Sequence, residues 1–337
     1  MTIRRPVTSC VLTAILGCIA VWTPGVSGAQ APAQAPASTA PPASAVGAAA
    51  SDDQMPSAAL VYRAMTVLRY NPQGAQERLS LGVRKRLTDS QHALRKNTFA
   101  YAGITAMLTP ALQRIGARVE LQPLAVLKLY AAAEWVWFMG NFDFVTSYKD
   151  ADQDYSDTAL QAAGDAGTNY AASGMTLSAG ALIQAKVGPV AVRSDTLMQH
   201  WRMPMHNQDP VFYDPFYDLL TPSRGWTLVQ NNDLLYVQGR LVVGLRHSMS
   251  RSMLSEKALA PVAAGKSPRD VTHRVGPFAA YRLTADGQYA DSLFRRPTLV
   301  VLTQWWLQHP YRTGQDVSGG LPWIAVVLVF DGRLATL

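Results

Sequence analysis

The chain has 337 residues and a formal net charge of +7; 48% of residues are hydrophobic and only 16% charged. So much apolar content with so little charge excludes a wholly disordered chain, and the length holds one large domain or two ordinary ones. Beyond the N-terminal region no stretch offers about 18 consecutive apolar residues, which argues against a helical membrane protein.

Residues 1–29 read as a secretory signal. Arg4 and Arg5 supply a positive start, Val11 to Trp22 is apolar but too short to span a bilayer comfortably, and Ser27-Gly28-Ala29 places small residues at a cleavage position. Both cysteines, Cys10 and Cys18, lie in this segment, so the exported chain would carry no disulfide and no thiolate metal site. A rival reading takes Ile15-Leu16-Gly17-Cys18 as a lipoprotein box, but the apolar run continues through Ile19, Val21 and Trp22. Residues 30–57 are mostly Ala, Pro, Ser and Gln with no periodic apolar face, as expected of a disordered spacer ahead of a folded domain at 58–337.

From there apolar and polar residues alternate with period 2, the signature of strands. In 78–88, Leu79, Leu81, Val83 and Leu87 oppose Arg78, Ser80, Gly82, Arg84 and Arg86. In 114–121, Ile115, Ala117, Val119 and Leu121 oppose Arg114, Gly116, Arg118 and Glu120. In 124–138, Leu127, Leu129, Ala131, Ala133, Trp135 and Trp137 oppose Lys128, Tyr130, Ala132, Glu134 and Val136. The pattern returns at 175–186, with Leu177 and Ile183 against Thr176 and Gln184, and at 240–249, with Leu241, Val243 and Leu245 against Arg240, Val242, Gly244 and Arg246.

Twelve strands are predicted, at 61–70, 78–88, 97–108, 112–121, 124–138, 174–186, 189–202, 226–237, 239–250, 273–284, 297–308 and 321–331. About 10 residues is the length a tilted strand needs to cross a bilayer. Trp135, Trp137, Trp201, Trp305 and Trp306 lie near strand ends, where amphipathic rings favour the headgroup level. The long connections, 139–173, 203–225, 251–272 and 309–320, all follow odd-numbered strands. The tightest turns, near Leu121–Leu124, Lys186–Pro189 and Val237–Gly239, follow even ones, although two other connections after even strands, near 89–96 and 285–296, are longer than the pattern asks. Long loops at one end and short turns at the other are what a chain entering from the periplasm gives when it closes as an up-and-down barrel.

On these strands the sequence resembles the Gram-negative outer-membrane β-barrel class over residues 60–331. The segment Gly320-Leu321-Pro322-Trp323-Ile324-Ala325-Val326-Val327-Leu328-Val329-Phe330 is similar to the C-terminal assembly signal of such barrels, although seven residues follow Phe330. The resemblance implies an all-β, closed antiparallel transmembrane barrel of about 12 strands in the bacterial outer membrane. It also implies outer-membrane lipid, lipopolysaccharide and the barrel-assembly machinery as partners. No cofactor and no nucleic-acid partner is expected, and the sequence leaves the oligomeric state open.

Parity places Arg78, Arg84, Arg86, Arg114, Arg118, Arg193, Arg240, Arg246, Arg274 and Arg282 toward the lumen, against fewer acids, Glu120, Glu134 and Asp195. A salt-bridged interior that braces the wall and a basic pore favouring small anions are both consistent with that set. In the loop after the fifth strand, Asp150, Asp152 and Asp154 alternate like calcium ligands, but Tyr155 and Gln161 stand where an EF-hand needs Gly and Glu. In the loop after the seventh strand, Phe212-Tyr213-Asp214-Pro215-Phe216-Tyr217-Asp218 repeats an aromatic pair beside a carboxylate. The rings of Phe212, Tyr213, Phe216 and Tyr217 suit a packed constriction better than a sugar-binding surface. An outer-membrane hydrolase would pair a His and a Ser on one face; His247 shares its face with Met249, while Ser248 and Ser250 point the other way. The expectation is therefore a pore or transporter, with a non-conducting surface barrel as the alternative and a lipid-modifying hydrolase behind both.

Overall fold

The computed structural model describes residues 56–90, 92–95, 97–139, 145–261, 270–284 and 295–337. The expected signal, the lipoprotein alternative at Cys18 and nearly all of the spacer lie outside the described residues. In chain order the strands are β1 (Ala58–Tyr70), β2 (Gly74–Arg86), β3 (Phe99–Leu108), β4 (Leu112–Leu124), β5 (Leu127–Phe138), β6 (Ser147–Tyr148), β7 (Ala172–Val187) and β8 (Val190–Arg202). They continue as β9 (Val211–Asp214), β10 (Leu219–Pro222), β11 (Arg224–Gln238), β12 (Leu241–Met253), β13 (Val271–Arg282), β14 (Arg295–Gln308) and β15 (Trp323–Thr336). Two helices, α1 (Asp157–Asp165) and α2 (Glu256–Leu259), sit in connections and are capped by Ser156 and Ser255.

Twelve of these strands form one closed antiparallel barrel in the order β1-β15-β14-β13-β12-β11-β8-β7-β5-β4-β3-β2. The seam is β1 on β15, where Tyr70 opposes Ile324 and Ala59 opposes Thr336. Closure leaves no sheet edge, which hydrocarbon requires because lipid cannot hydrogen-bond a free N–H or C=O. The last strand runs six residues past Phe330, so the tail that weakened the assembly-signal match is itself part of the seam.

Alternation sets the two faces of the wall. On β7, Ile183 is 60% exposed and its neighbour Leu182 only 1%. Outward leucines, isoleucines and valines repeat around the cylinder, among them Leu81, Ile104, Val119, Leu129, Leu177, Leu245, Val301 and Leu328. A belt of that kind is stable against lipid tails and costly against water.

Exposed rings border the belt. Tyr70, Trp135, Trp137, Trp226 and Trp305 lie near the long-loop end, and Tyr236 and Tyr281 near the short-turn end. Trp201 and Trp306 are corrections: both face inward and are buried. Trp201 shares its parity with Arg193 and Asp195, and Trp306 with Gln304, so proximity to a strand end does not decide the side.

The connections divide as the parity argument requires, with two exceptions. Two-residue turns at 188–189 and 239–240 begin with Gly188 and Gly239, each at φ 57°, a left-handed conformation that costs a residue without a Cβ little. The longest loops, after β5, β8, β12 and β14, gather at the opposite end, but the connections 87–98 and 283–294 are also long and join strands at the short-turn end.

Candidate functional site

The long-loop end is filled by protein. β9 and β10 form a hairpin joined to β6 in a small sheet, and its residues from Val211 to Thr221 are all buried. Phe212 meets Phe138 and Trp201 edge-on at 5.7 and 5.5 Å, so the hairpin is packed against the inner wall. Tyr217 donates its hydroxyl to Gln199 Oε1 on β8 at 2.8 Å, and Arg114 on β4 lies under the Phe216 ring at 4.8 Å and the Trp201 ring at 4.9 Å. The four aromatic residues singled out in the sequence thus lie in the barrel mouth.

Above them Tyr213, Tyr155 and Tyr311 cluster, Tyr155 meeting Tyr311 at 4.8 Å. An ionic latch ties the hairpin to three other connections. Arg312 donates to Asp218 on the hairpin, to Asp157 Oδ1 at 2.9 Å at the start of α1, and to Asn71 Oδ1 at 3.1 Å in the β1–β2 turn. His309 Nε2 lies 3.0 Å from the Asp218 carbonyl, and Tyr213 donates to Asp218 Oδ1 at 2.7 Å. The Arg312 and His309 charges hold the Asp218 carboxyl well below its ordinary range, outweighing its burial.

Asp214, at the turn of the same hairpin, behaves oppositely. Burial pushes its pKa up to about 6, against the pull of Arg114 and of the Phe216 N–H that it accepts at 2.8 Å. A carboxyl whose folded pKa is raised favours the folded arrangement while protonated, and that contribution is lost as pH rises through the folded value. The hairpin should therefore seat most firmly in acid and loosen toward neutral pH. We expect protease access to the 203–223 connection to rise across a midpoint near 6, and Asp214→Asn to flatten the profile. Limited proteolysis at stepped pH measures this; an unchanged pH profile in that variant would show that another group controls the mouth.

Below the hairpin lies a cavity of about 150 Å³, walled by Arg63, Arg78, Arg114 and Arg118 on β1, β2 and β4, and by Glu120, Glu134, Tyr130 and Asp195 on β4, β5 and β8. Phe216 and Tyr217 are its roof. Glu120 is engaged by Arg118 at 2.7 Å and Lys128 at 3.7 Å. Asp195 accepts from Tyr130 at 2.7 Å, a reach made available because Tyr130 lies across Gly180, where any Cβ would collide with its ring. Arg114 is only 2% exposed and its nearest carboxylate oxygen, on Glu134, is 3.9 Å away; its Nε and Nη2 have no hydrogen-bond acceptor, nor has Arg78 Nε.

The other half of the interior is different. Inward residues of β13, β14, β15 and β1, including Phe278, Val300, Leu302, Val327 and Val67, pack into one apolar cluster. Arg69, Arg274 and Gln304 face inward on the same strands, so the apolar cluster interrupts the charged interior without replacing it.

Only Arg78, Arg114 and Arg118 of the ten predicted arginines wall the cavity. Arg193 and Arg246 are tied to carboxylates: Arg246 Nε and Nη2 grip Asp233 at 2.6 and 2.8 Å, and Arg193 lies 3.4 Å from Asp233 and 3.5 Å from Asp195. Arg274 lies over Trp306 at 4.7 Å and Trp323 at 4.4 Å. Arg84 covers Phe99, Arg86 pairs with Asp89, and Arg282 is buried near the short-turn end. Arg240 is a correction: it occupies the exposed β11–β12 turn and covers the outward Tyr281 at 5.3 Å, because the turn releases it from strand alternation.

Asp150, Asp152 and Asp154, the calcium-like alternation of the sequence, lie in the loop before α1. Asp150 Oδ1 accepts from the Asp152 N–H and Gln153, and Asp154 Oδ1 from the Ser156 N–H, so these two carboxylates turn the backbone. No cluster of three metal-ligating side chains occurs among the described residues. His247 faces outward, while Ser248 faces inward and donates to Asn231 Oδ1 at 2.8 Å, so no hydrolase dyad forms there.

The sequence reading passed over Arg63, Asp214, Asp218, Asp233, His309 and Arg312 as site residues. Arg63 and Asp233 were accessible by the same parity count. The two loop partners of the latch, His309 and Arg312, carried no pattern.

No protein-family model matches the chain, and no curated protein matches it. Among solved structures it is similar to OccAB1 of Acinetobacter baumannii, at 12% identity over 77% of this chain and 58% of that one, with a TM-score of 0.37. The chain thus spans less than two thirds of OccAB1. It is similar to the translocator domain of the autotransporter NalP from Neisseria meningitidis, at 9% identity over 82% and 88% of the two chains, with a TM-score of 0.36. A variant of the monoaromatic hydrocarbon channel TodX is similar at 9% identity over 82% and 90%, with a TM-score of 0.34.

Proposed function

We propose that this protein resides in the bacterial outer membrane and passes small anionic solutes through the charged arc of its lumen, with the β9–β10 hairpin as its constriction. The observation that carries the reading is Arg114. A buried guanidinium with two N–H groups lacking acceptors, beside Arg78 and a chamber, is a place where a carboxylate or phosphate oxygen is favoured. The size of the chamber restricts the solute, because sites for drug-sized molecules run to about 300–1,000 Å³.

The latch and packed hairpin favour a second reading, in which the barrel does not conduct and presents its loops to the surroundings. One pair of recordings separates the two. Met203 N–H donates to the Ser223 carbonyl at 2.7 Å, so the hairpin between them can be excised and its ends rejoined by a short glycine linker. The pore reading expects low conductance with anion-preferring reversal potentials for the intact barrel. It expects a large increase on excision and a loss of anion preference in Arg114→Gln. Silence from both intact and excised barrels would establish the non-conducting reading, and cation preference would remove the anionic solute.

A further inference from the structure

Two polar features interrupt the outward wall at depth: Glu77 on β2, which accepts from Thr66 on β1 at 2.5 Å, and a larger uncharged patch centred on β11. Along β11 the outward residues are Trp226, Leu228, Gln230, Asn232, Leu234 and Tyr236. Trp226 and Tyr236 are the border rings at the two ends, so Gln230 and Asn232 stand midway between the headgroup levels. The patch spreads to neighbouring strands in register. Asn232 lies between Ser194 on β8 and His247 on β12, and Gln230 lies between Thr196 and Met249, which opposes His273 on β13.

Part of it is satisfied internally. Ser194 donates to Asn232 Oδ1 at 2.8 Å, and the His247 and His273 rings approach at 3.1 Å. The Gln230 amide has no partner among the described residues. At comparable depth across the barrel, β4 shows Ile115, Ala117, Val119 and Leu121 outward, with no such interruption.

An amide against lipid tails loses its water and gains nothing. A headgroup does not reach that depth, so only another membrane-embedded protein can supply donors and acceptors there. From this we infer that the Ser194–Asn232–His247 face is the contact between two copies of this chain. A second copy fits for two reasons. Two barrels inserted in the same sense carry Gln230 and Asn232 at identical depth, so a rotation axis along the membrane normal sets like against like. Amides and hydroxyls both donate and accept, so the patch complements itself, and its lack of charge avoids the repulsion of a self-contact between like ions. A different barrel would need to match both depth and polarity.

The test uses cysteine pairing in native membranes, with Cys10 and Cys18 replaced by alanine so that each introduced thiol is alone. Oxidation is expected to link Gln230→Cys and Asn232→Cys chains into dimers, while Leu129→Cys, on β5 a quarter-turn around the wall, stays monomeric. In the chain without added thiols, the double change Gln230→Leu and Asn232→Leu should abolish the dimer mass in detergent while heat-modifiable folding persists. Monomers at all three positions, equal linking at 129, or adducts with a protein of another size would overturn the assignment.

Discussion

Replacing Arg312 by alanine should unseat the hairpin and raise ion flux more than any other single loop change. Its guanidinium is the hub on which Asp218, Asp157 and Asn71 converge, and it is buried together with Asp218. Removing one partner of a buried pair costs about 3–5 kcal/mol, because the remaining charge keeps its desolvation penalty without compensation. Here the stranded charge is Asp218, and the Tyr213 hydroxyl bonded to it is disturbed as well. That cost falls on the hairpin and not on the wall, whose twelve strand pairings contain none of these residues. Conductance should therefore rise while heat-modifiable mobility is retained. Since the Asp218 carboxyl is held well below its ordinary range, its contribution is present above that range and lost only in strong acid. Mild acid should leave the latch shut, in step with the tighter seating expected from Asp214. A variant that neither conducts more nor admits protease to the 203–223 connection would show that apolar packing alone holds the hairpin.

Asp233→Ala should be the most destabilising change in the wall. Asp233 is fully buried, grips Arg246 with both oxygens and is the nearer of two carboxylates to Arg193. Its loss leaves Arg246 buried without its carboxylate partner and Arg193 dependent on Asp195. We expect a loss of about 3–5 kcal/mol in reversible unfolding from detergent or vesicles, with a matching fall in the temperature of the gel-mobility shift. Adding Arg246→Met to Asp233→Leu should recover much of that loss, since an apolar pair of similar volume carries no desolvation cost. If the single and double variants lose equal stability, the pair contributes through shape and not charge.

These two sites differ in how far the sequence announced them. Arg246 and Asp233 lie on strands whose parity could be counted, and opposite signs on one face at facing positions of adjacent strands are a readable pair once the register is known. The register itself came from the turns at Gly188 and Gly239, whose two-residue length fixes which residues oppose. Arg312 and Asp218 are 94 residues apart in different loops, and nothing periodic connects them. Trp201 and Arg240 were misplaced for a related reason: nearness to a strand end says little, and the side a residue faces depends on whether alternation persists up to it.

Alternation along the chain was enough to determine the barrel, its strand number, the side faced by most wall residues away from the strand ends and the end that carries the longest loops. Period 2 is a local property of extended backbone, and hydrocarbon leaves such strands no option but closure. What the interior contains was decided only by the tertiary structure. A loop that folds back into the mouth, an apolar cluster against one side of the interior and a chamber that leaves Arg114 short of acceptors all depend on contacts between residues far apart in sequence. Those contacts form because twelve curved strands bring the residues within reach, and no spacing in the chain records that curvature.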